Sequence, residues 1–289
     1  MSYGKAKVYF DGSHYIAIPK ELQLLRRVKP VKKEIINTQK EKFDELYNDV
    51  KTKKKKEKIE YISENLKSSF ESEEKLDNFI DKNMERKTRN LIERKKRLTR
   101  KINLNTWNYF CTFTYDSKLH TEESFKKTLS TCFRHLVHRK KWKYVGVWER
   151  SPENNRLHFH GLFYIPVMVG ELQEIKDYST KNKKMQTTNV NSYFLKRFGR
   201  NDFSKINKFL ISRTTGYLLK YIEKSGEKII SSKNVYSYII SDIMDDDIAC
   251  PYGVGDRKII LFDDFKCFDE GELIGNVSPE VIEKMPKCN

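Results

Sequence analysis

Apolar and polar residues alternate over short segments in the middle of the chain, and a helical period separates these segments. Residues 109–115, 144–149 and 157–165 are short runs rich in aromatic and branched residues, which predicts three β-strands. Between the first two strands, apolar residues recur at the spacing of one helical face: Phe125, Leu129, Cys132, Phe133, Leu136 and Val137. Thr121 precedes this stripe and can cap the helix. The order strand, helix, strand, strand predicts an α+β layer with an antiparallel hairpin.

The pattern is weaker after the third strand. Residues 170–191 are polar with little periodicity, and we interpret them as an insertion or a flexible connection. Residues 192–198 predict a short helix closed by a glycine. A further strand is expected within residues 201–212, followed by a helix that Thr214 or Thr215 caps.

Composition divides the chain into three segments. Residues 1–104 form a basic, mostly helical extension: residues 1–100 carry 27 Lys and Arg against 17 Asp and Glu, which is most of the excess charge. Residues 105–228 hold the predicted strands and helices. Residues 229–289 alternate short apolar runs with acidic clusters, and we expect a small accessory region or a cover for the sheet. The predicted fold class is α+β, with a central antiparallel sheet flanked by helices.

Two histidines stand one residue apart in the third strand. Side chains alternate across a strand, so His158 and His160 point to one face, about 7 Å apart. If residues 144–149 and 157–165 pair as a hairpin, Glu149 lies opposite His158 on that face. Two imidazoles and a carboxylate can bind one metal ion and leave coordination positions open. The alternative is a pair of packed or exposed histidines with no metal, the commoner role of such a pair.

The last predicted helix is amphipathic. Leu218, Leu219 and Ile222 share one face. The opposite face carries Tyr217, Lys220, Tyr221 and Lys224. These tyrosines either lie at the boundary of an ordinary amphipathic helix or are two nucleophiles one turn apart. A phenol with a pKa near 10 attacks poorly unless cations stabilise its phenolate or a metal ion activates the electrophile.

The net charge of the 289-residue chain is +17, so a polyanionic partner is expected, either nucleic acid or an anionic membrane. No apolar run is long enough to span a bilayer, and the N-terminus lacks the apolar stretch of a signal peptide. The five cysteines form no CxxC pair, which is typical of a reducing compartment and disfavours a structural zinc site. We therefore expect a soluble, cytoplasmic protein with no membrane partner.

One basic cluster stands next to the predicted strands. It consists of Arg94, Lys95, Lys96, Arg97, Arg100 and Lys101 at the end of a long helix-favouring stretch. A solvated helix face is one interpretation. Its position before the histidine strand favours the other interpretation, contact with phosphates, which adds affinity and not sequence specificity. Lys224 is a further candidate for DNA contact.

The ordered motifs resemble a known superfamily. His158-Phe159-His160 between apolar residues, followed by Tyr217-x-x-Lys220-Tyr221, resembles the HUH endonucleases. Within them it is similar to the rolling-circle replication initiators of single-stranded DNA phages and small plasmids. Residues 110–115 resemble their first motif, which is mainly structural. The resemblance covers roughly residues 90–228 and implies an RRM-like sheet flanked by helices.

The resemblance also implies a mechanism. A Mg or Mn ion would be held by His158, His160 and, from the hairpin pairing, Glu149. Tyr217, or else Tyr221, would attack single-stranded origin DNA with help from Lys220, giving a 5′-phosphotyrosine link and a 3′-OH primer, and would later rejoin the strand. No GxxxxGK[ST] motif is present, so helicase and polymerase are expected to be separate host proteins.

Two other functions remain open from the sequence. A relaxase or a transposase of the same superfamily would share this chemistry on a different DNA substrate. A non-catalytic nucleic-acid-binding protein would use the basic helix and the aromatic residues of the sheet as a stacking platform.

Overall fold

The computed structural model describes most of the chain. The described residues are 2–20, 38–50, 53–151, 155–179, 183–207, 211–225, 229–251 and 258–289, with the backbone alone for residues 177, 179, 221 and 223–225. The chain forms two compact units, Arg26–Lys95 and the combination of Met1–Leu25 with Lys96–Asn289. Antiparallel sheets with flanking helices confirm the predicted α+β class.

The helical unit contains α1 (Thr38–Asp49), α2 (Lys55–Leu66) and the first part of α3 (Glu73–Asn103). Its core consists of Phe43, Ile62, Leu66, Leu76, Ile80 and Met84. The helix-favouring stretch from residue 59 to residue 101 is interrupted, because a 3-10 turn (Lys67–Ser69) and an extended Phe70 follow α2. Ser72 then accepts a hydrogen bond from the Lys75 amide and so caps α3.

The central sheet has five antiparallel strands in the order β8-β3-β5-β4-β9. They are β3 (Tyr109–Thr114), β4 (Lys143–Arg150), β5 (Leu157–Tyr164), β8 (Asn201–Lys205) and β9 (Ile229–Ser231). The three strands predicted from aromatic and branched runs are confirmed, and so is the strand expected within residues 201–212.

Two helices pack on one face of the central sheet. The Thr121 side chain caps α4 (Glu122–Lys140) by accepting from the Ser124 amide, as predicted. The helix α5 (Ser192–Phe198) ends at Gly199, whose φ of 117° suits glycine and where a Cβ would lie 2.6 Å from the Asp116 nitrogen. The core below these helices includes Phe113, Phe125, Phe133, Phe159, Phe163, Phe194 and Phe198.

The opposite face of the central sheet is partly covered by α6 (Ile211–Ser225), which packs across β4. Leu218 and Ile222 are buried there, on the face predicted to be apolar. The predicted cap at Thr214 or Thr215 is wrong, because α6 already includes Ile211 and the Thr215 hydroxyl donates to the Ile211 carbonyl.

Residues 172–191 form a two-stranded ribbon and not a flexible connection. The strands β6 (Leu172–Ser179) and β7 (Lys184–Asn191) pair from Leu172 opposite Asn191 to Ser179 opposite Lys184. Their polar composition conceals them, because most of the ribbon has no buried face whose period could be read.

A second sheet joins the two ends of the chain, in the order β11-β12-β2-β1-β10-β13-β14, with β15 on β10. From the N-terminal end come β1 (Ser2–Phe10) and β2 (Tyr15–Ile18). From the C-terminal end come β10 (Tyr238–Met244), β11 (Ile248–Pro251), β12 (Ile259–Leu261), β13 (Lys266–Asp269), β14 (Glu272–Asn276) and β15 (Lys287–Cys288), with α7 (Pro279–Lys284) after β14. The first and last predicted segments therefore share one sheet. Among the described residues, no helix has the length and apolarity to cross a bilayer.

Candidate active site

The candidate site lies on the face of the central sheet that α6 partly covers. His158 and His160 project from β5, which is flanked by β3 and β4. Glu149 pairs with His158, as the hairpin geometry predicts, and Thr114 pairs with His158 from the other side. Thr112 occupies the same position opposite His160. Paired residues on neighbouring strands face the same way, so these five side chains form one group.

The carboxylate of Glu149 reaches diagonally to the second histidine. Its Oε2 lies 3.0 Å from Nε2 of His160, and the two side chains are only 12% and 10% exposed. The two histidine rings have centroids 6.1 Å apart. An acidic oxygen and imidazole nitrogens therefore share a nearly buried surface.

Two threonines of β3 hold the imidazole rings from behind. Oγ1 of Thr112 lies 3.1 Å from Nδ1 of His160, and Oγ1 of Thr114 lies 2.7 Å from Nδ1 of His158. When Nδ1–H donates to the hydroxyl oxygen, Nε2 carries the lone pair that a metal ion needs. Sequence reasoning missed both threonines as site residues, because β3 and β5 are far apart in the sequence; the alternation Thr-Phe-Thr was the one signal available.

The environment keeps His158 neutral. Burial, with the nearby His160, Arg156 and Arg200, lowers the pKa of His158 to about 4, although Glu149 acts in the opposite direction. Metal ligands must be deprotonated, so a neutral imidazole is the form that can coordinate. The pKa shift also reveals two cations close to the site, Arg156 and Arg200, which sequence reasoning did not single out.

The donor set fits a divalent ion. Two ligand atoms each about 2.1 Å from one ion lie about 3–3.5 Å apart. The 3.0 Å between His160 Nε2 and Glu149 Oε2 is close to this separation. In the part of the chain that the structure describes, no three His, Cys, Asp or Glu side chains already gather into a metal cage. The present arrangement is thus a close His160–Glu149 pair, with His158 as a further donor on the same face.

Tyr217 lies at the border of this group. Its ring packs edge-on against Phe110, with centroids 5.6 Å apart, and the Phe110 ring is stacked 6.2 Å from that of His160. Tyr217 is 43% exposed, and Lys220 on the next turn of α6 is exposed as well. The side chains of the other two helix candidates, Tyr221 and Lys224, lie outside the described residues.

The predicted phosphate contacts on α3 are spread over both units, and two of them bind protein groups. Arg100 forms an ion pair with Asp11, Nε to Oδ1 2.6 Å, and its guanidinium lies over the Tyr9 ring. Lys101 Nζ is 3.2 Å from Ser231 Oγ on the edge strand β9. In the same unit Lys96 is half-buried and Arg97 is exposed, whereas the half-buried Arg94 and Lys95 belong to the helical unit.

Comparison with known families identifies the segment that carries the site. Residues 108–226 match the model of a family of replication-associated proteins, the ORF2 family. This segment is less than half of the chain and runs from β3 to the end of α6, so it includes both histidines, both threonines, Glu149 and Tyr217. No curated protein and no solved structure gives a significant match. The match links the central segment to replication-associated proteins and agrees with the resemblance seen in the motifs.

Proposed function

We propose that the protein is a replication initiator that nicks single-stranded origin DNA through attack by a tyrosine and later rejoins the strand. One observation carries the proposal: Phe110 contacts both the His160 ring and the Tyr217 ring, so a candidate metal ligand and a candidate nucleophile border the same surface. The link to replication-associated proteins supports the same function.

His158, His160 and Glu149 are the proposed ligands of a divalent ion, Mg or Mn, which when bound would polarise the scissile phosphate. Thr112 and Thr114 fix the ring orientation of the histidines through Nδ1. The lowered pKa of His158 keeps its imidazole neutral near pH 7. These residues are therefore set to coordinate without first losing a proton.

In the proposed step the Tyr217 oxygen forms a bond to phosphorus while the bond from phosphorus to the 3′ oxygen breaks. The phenolic proton leaves to solvent, and the departing 3′ oxygen takes up a proton. The products are a 5′-phosphotyrosine link and a 3′-OH that primes synthesis. Lys220, three residues further along α6, and Arg156, beside His158, can stabilise the negative charge that develops on the phosphate.

Rejoining is the same exchange in reverse, in which a 3′-OH attacks the phosphotyrosine and releases the phenol. Tyr221 follows Tyr217 by one helical turn and is the proposed second nucleophile. The chain would act in the host cytoplasm with a separate helicase and polymerase. A relaxase or transposase would use the same chemistry and differ in its DNA substrate.

The test is the covalent adduct. The protein is incubated with Mn²⁺ or Mg²⁺ and 3′-labelled single-stranded oligonucleotides of random sequence, and the products are separated on a denaturing gel. A labelled band that migrates with the protein is expected from the wild type and from Tyr61→Phe, the matched tyrosine control in the helical unit. An adduct that persists in the double variant Tyr217→Phe/Tyr221→Phe would overturn the tyrosine assignment. Binding of DNA with no adduct in the wild type would instead support the non-catalytic alternative.

A further inference from the structure

The ribbon exposes large apolar side chains far from any core. Tyr178 is 52% exposed, Met185 59% and Ile175 39%. Tyr178 and Met185 are direct partners across the two strands, so their side chains lie together on one face. A two-stranded ribbon with nothing packed on it is marginally stable in water, so apolar side chains kept in solvent here call for a partner.

Cations accompany these side chains. Lys176 pairs with Thr187 one position along the same face, so Lys176, Tyr178 and Met185 form a continuous patch, which we call the ribbon face. Lys183 and Lys184 follow at the end of the ribbon, and all three lysines are exposed. Within residues 176–185 the sequence has four lysines and one aspartate. An aromatic ring beside mobile ammonium groups is the combination that binds single-stranded nucleic acid by base stacking and phosphate contact.

The ribbon is anchored to the sheet that carries the candidate site. The Asn189 amide donates to Oδ1 of Asp202 at 3.0 Å, and the Asn191 amide donates to Oδ1 of Asn201 at 2.7 Å. Asp202 lies on β8 directly opposite Thr112, the residue that holds His160. The ribbon therefore starts two strands away from the histidines and reaches about 26 Å along its eight-residue strands.

We propose that the ribbon face binds single-stranded DNA next to the nicking site, with a base stacked on Tyr178 and Met185 and phosphates near Lys176. This inference rests on the proposed function, since it identifies where that DNA is held. A duplex is a poor occupant, because its bases are already stacked on each other and cannot stack on an aromatic side chain. A protein partner is also a poor occupant, because a stable interface covers about 800 Å² on each side and three side chains offer far less.

The purely structural role of Tyr178 and Met185 would be a cross-strand pair that stabilises the ribbon. The double variant Tyr178→Thr/Met185→Thr separates the two roles, because threonine favours strands but offers no stacking surface. The matched control Tyr178→Phe/Met185→Leu keeps apolar volume and a ring at the same positions. Circular dichroism and thermal unfolding of each variant report whether the fold is retained.

Affinity is measured by fluorescence anisotropy with labelled oligo(dT) in the presence of a chelator, so that no cleavage takes place. The threonine variant is expected to bind about 10-fold or more weakly, the loss that follows from removing base stacking, and the Phe/Leu control is expected to bind like the wild type. Unchanged oligo(dT) affinity in the threonine variant would overturn the proposal. An equal loss of affinity for a duplex of the same length would overturn the assignment to single strands.

Lys176→Ala provides a second test that leaves the apolar pair in place. Its oligo(dT) affinity is expected to depend less steeply on salt, with the slope of log affinity against log salt reduced by about 0.7 for one lost phosphate contact. An unchanged slope would contradict the phosphate contact. Failure of the nuclease proposal is a separate result, since it means no covalent adduct from the wild type, whereas failure of the ribbon proposal means unaltered binding in the ribbon variants.

Discussion

Oγ1 of Thr114 lies 2.7 Å from Nδ1 of His158, across the paired strands β3 and β5. The hydroxyl can accept the Nδ1 proton and thereby fix the ring with Nε2 as the available donor atom. Thr112 repeats the arrangement for His160, one pair of positions along. Both proposed imidazole ligands are thus oriented from one strand, and β3 has a role in the site beyond its place in the core.

Replacing Thr114 with valine should weaken metal binding about 10- to 100-fold, the usual effect of removing a hydrogen bond to a metal-ligating histidine. Valine has nearly the same shape, so the fold should be retained. Calorimetric titration with Mn²⁺ measures the effect. Thr128→Val on α4, where the hydroxyl donates to the Ser124 carbonyl, is the control with unchanged affinity. Equal Mn²⁺ affinity in Thr114→Val and the wild type would contradict a metal-binding role for His158.

The contrast between Glu149 and Thr114 shows what sequence can predict in this fold. Glu149 could be placed opposite His158 because a short loop joins β4 to β5 and fixes their register. Thr114 could not, because its pairing with His158 joins strands 44 residues apart and depends on how β3 enters the sheet. The pairing of β1 with β10 is more distant still, with Val8 opposite Ile239, and no local pattern indicates it. Local periodicity found the elements, whereas non-local pairing had to come from the structure.

Glu149→Gln tests the carboxylate. The amide can still approach His160 Nε2, but it carries no charge for a cation, so Mn²⁺ affinity and the yield of covalent adduct should both fall at least about 10-fold. Glu122→Gln is the control, because Glu122 pairs with Arg150 outside the histidine group. The assignment of Glu149 as a ligand would fail if its variant bound Mn²⁺ as tightly as the Glu122 variant.

Phe110→Ala tests the link between the two halves of the site. The substitution removes the edge-to-face contact with Tyr217, a contact worth about 0.5–1.5 kcal/mol, and the ring stacked on His160. Adduct formation at saturating DNA should slow about 10-fold, while oligo(dT) affinity stays the same because the ribbon is untouched. Single-turnover kinetics and anisotropy separate the two quantities. A variant that loses affinity and keeps its rate would show that Phe110 binds DNA and does not position Tyr217.

Asp44 gives the helical unit a pH-dependent contribution to stability. Partial burial raises the pKa of this carboxyl, but hydrogen bonds and charge from Arg86 and Lys87 outweigh it and hold the pKa below its ordinary value. The contribution is therefore fully present above the unfolded pKa of about 3.9 and is lost as the pH falls through the lower folded pKa. Asp44→Asn should lower the melting temperature at neutral pH, and the difference from the wild type should shrink in acid. Melting curves that differ equally at both pH values would contradict this account.

Two glycines of the site region should respond oppositely to alanine. Gly146 on β4 pairs with Gly161 on β5, and a Cβ at Gly146 would lie 2.4 Å from the His160 carbonyl oxygen and 2.4 Å from the Phe159 ring. Neither neighbour can move away cheaply, since one is backbone and the other is core. Gly146→Ala should thus destabilise the protein by about 1–3 kcal/mol and displace the strand that carries the histidines.

Gly216 on α6 is the matched control, because a Cβ there meets nothing within 4 Å. Alanine at this helical position should stabilise the protein by up to about 1 kcal/mol. Chemical denaturation of both variants measures the difference in sign, and Mn²⁺ titration of Gly146→Ala should show weakened binding. If Gly146→Ala kept wild-type stability, the close approach of β4 and β5 would be wrong, and with it the spacing that brings Glu149 to His160.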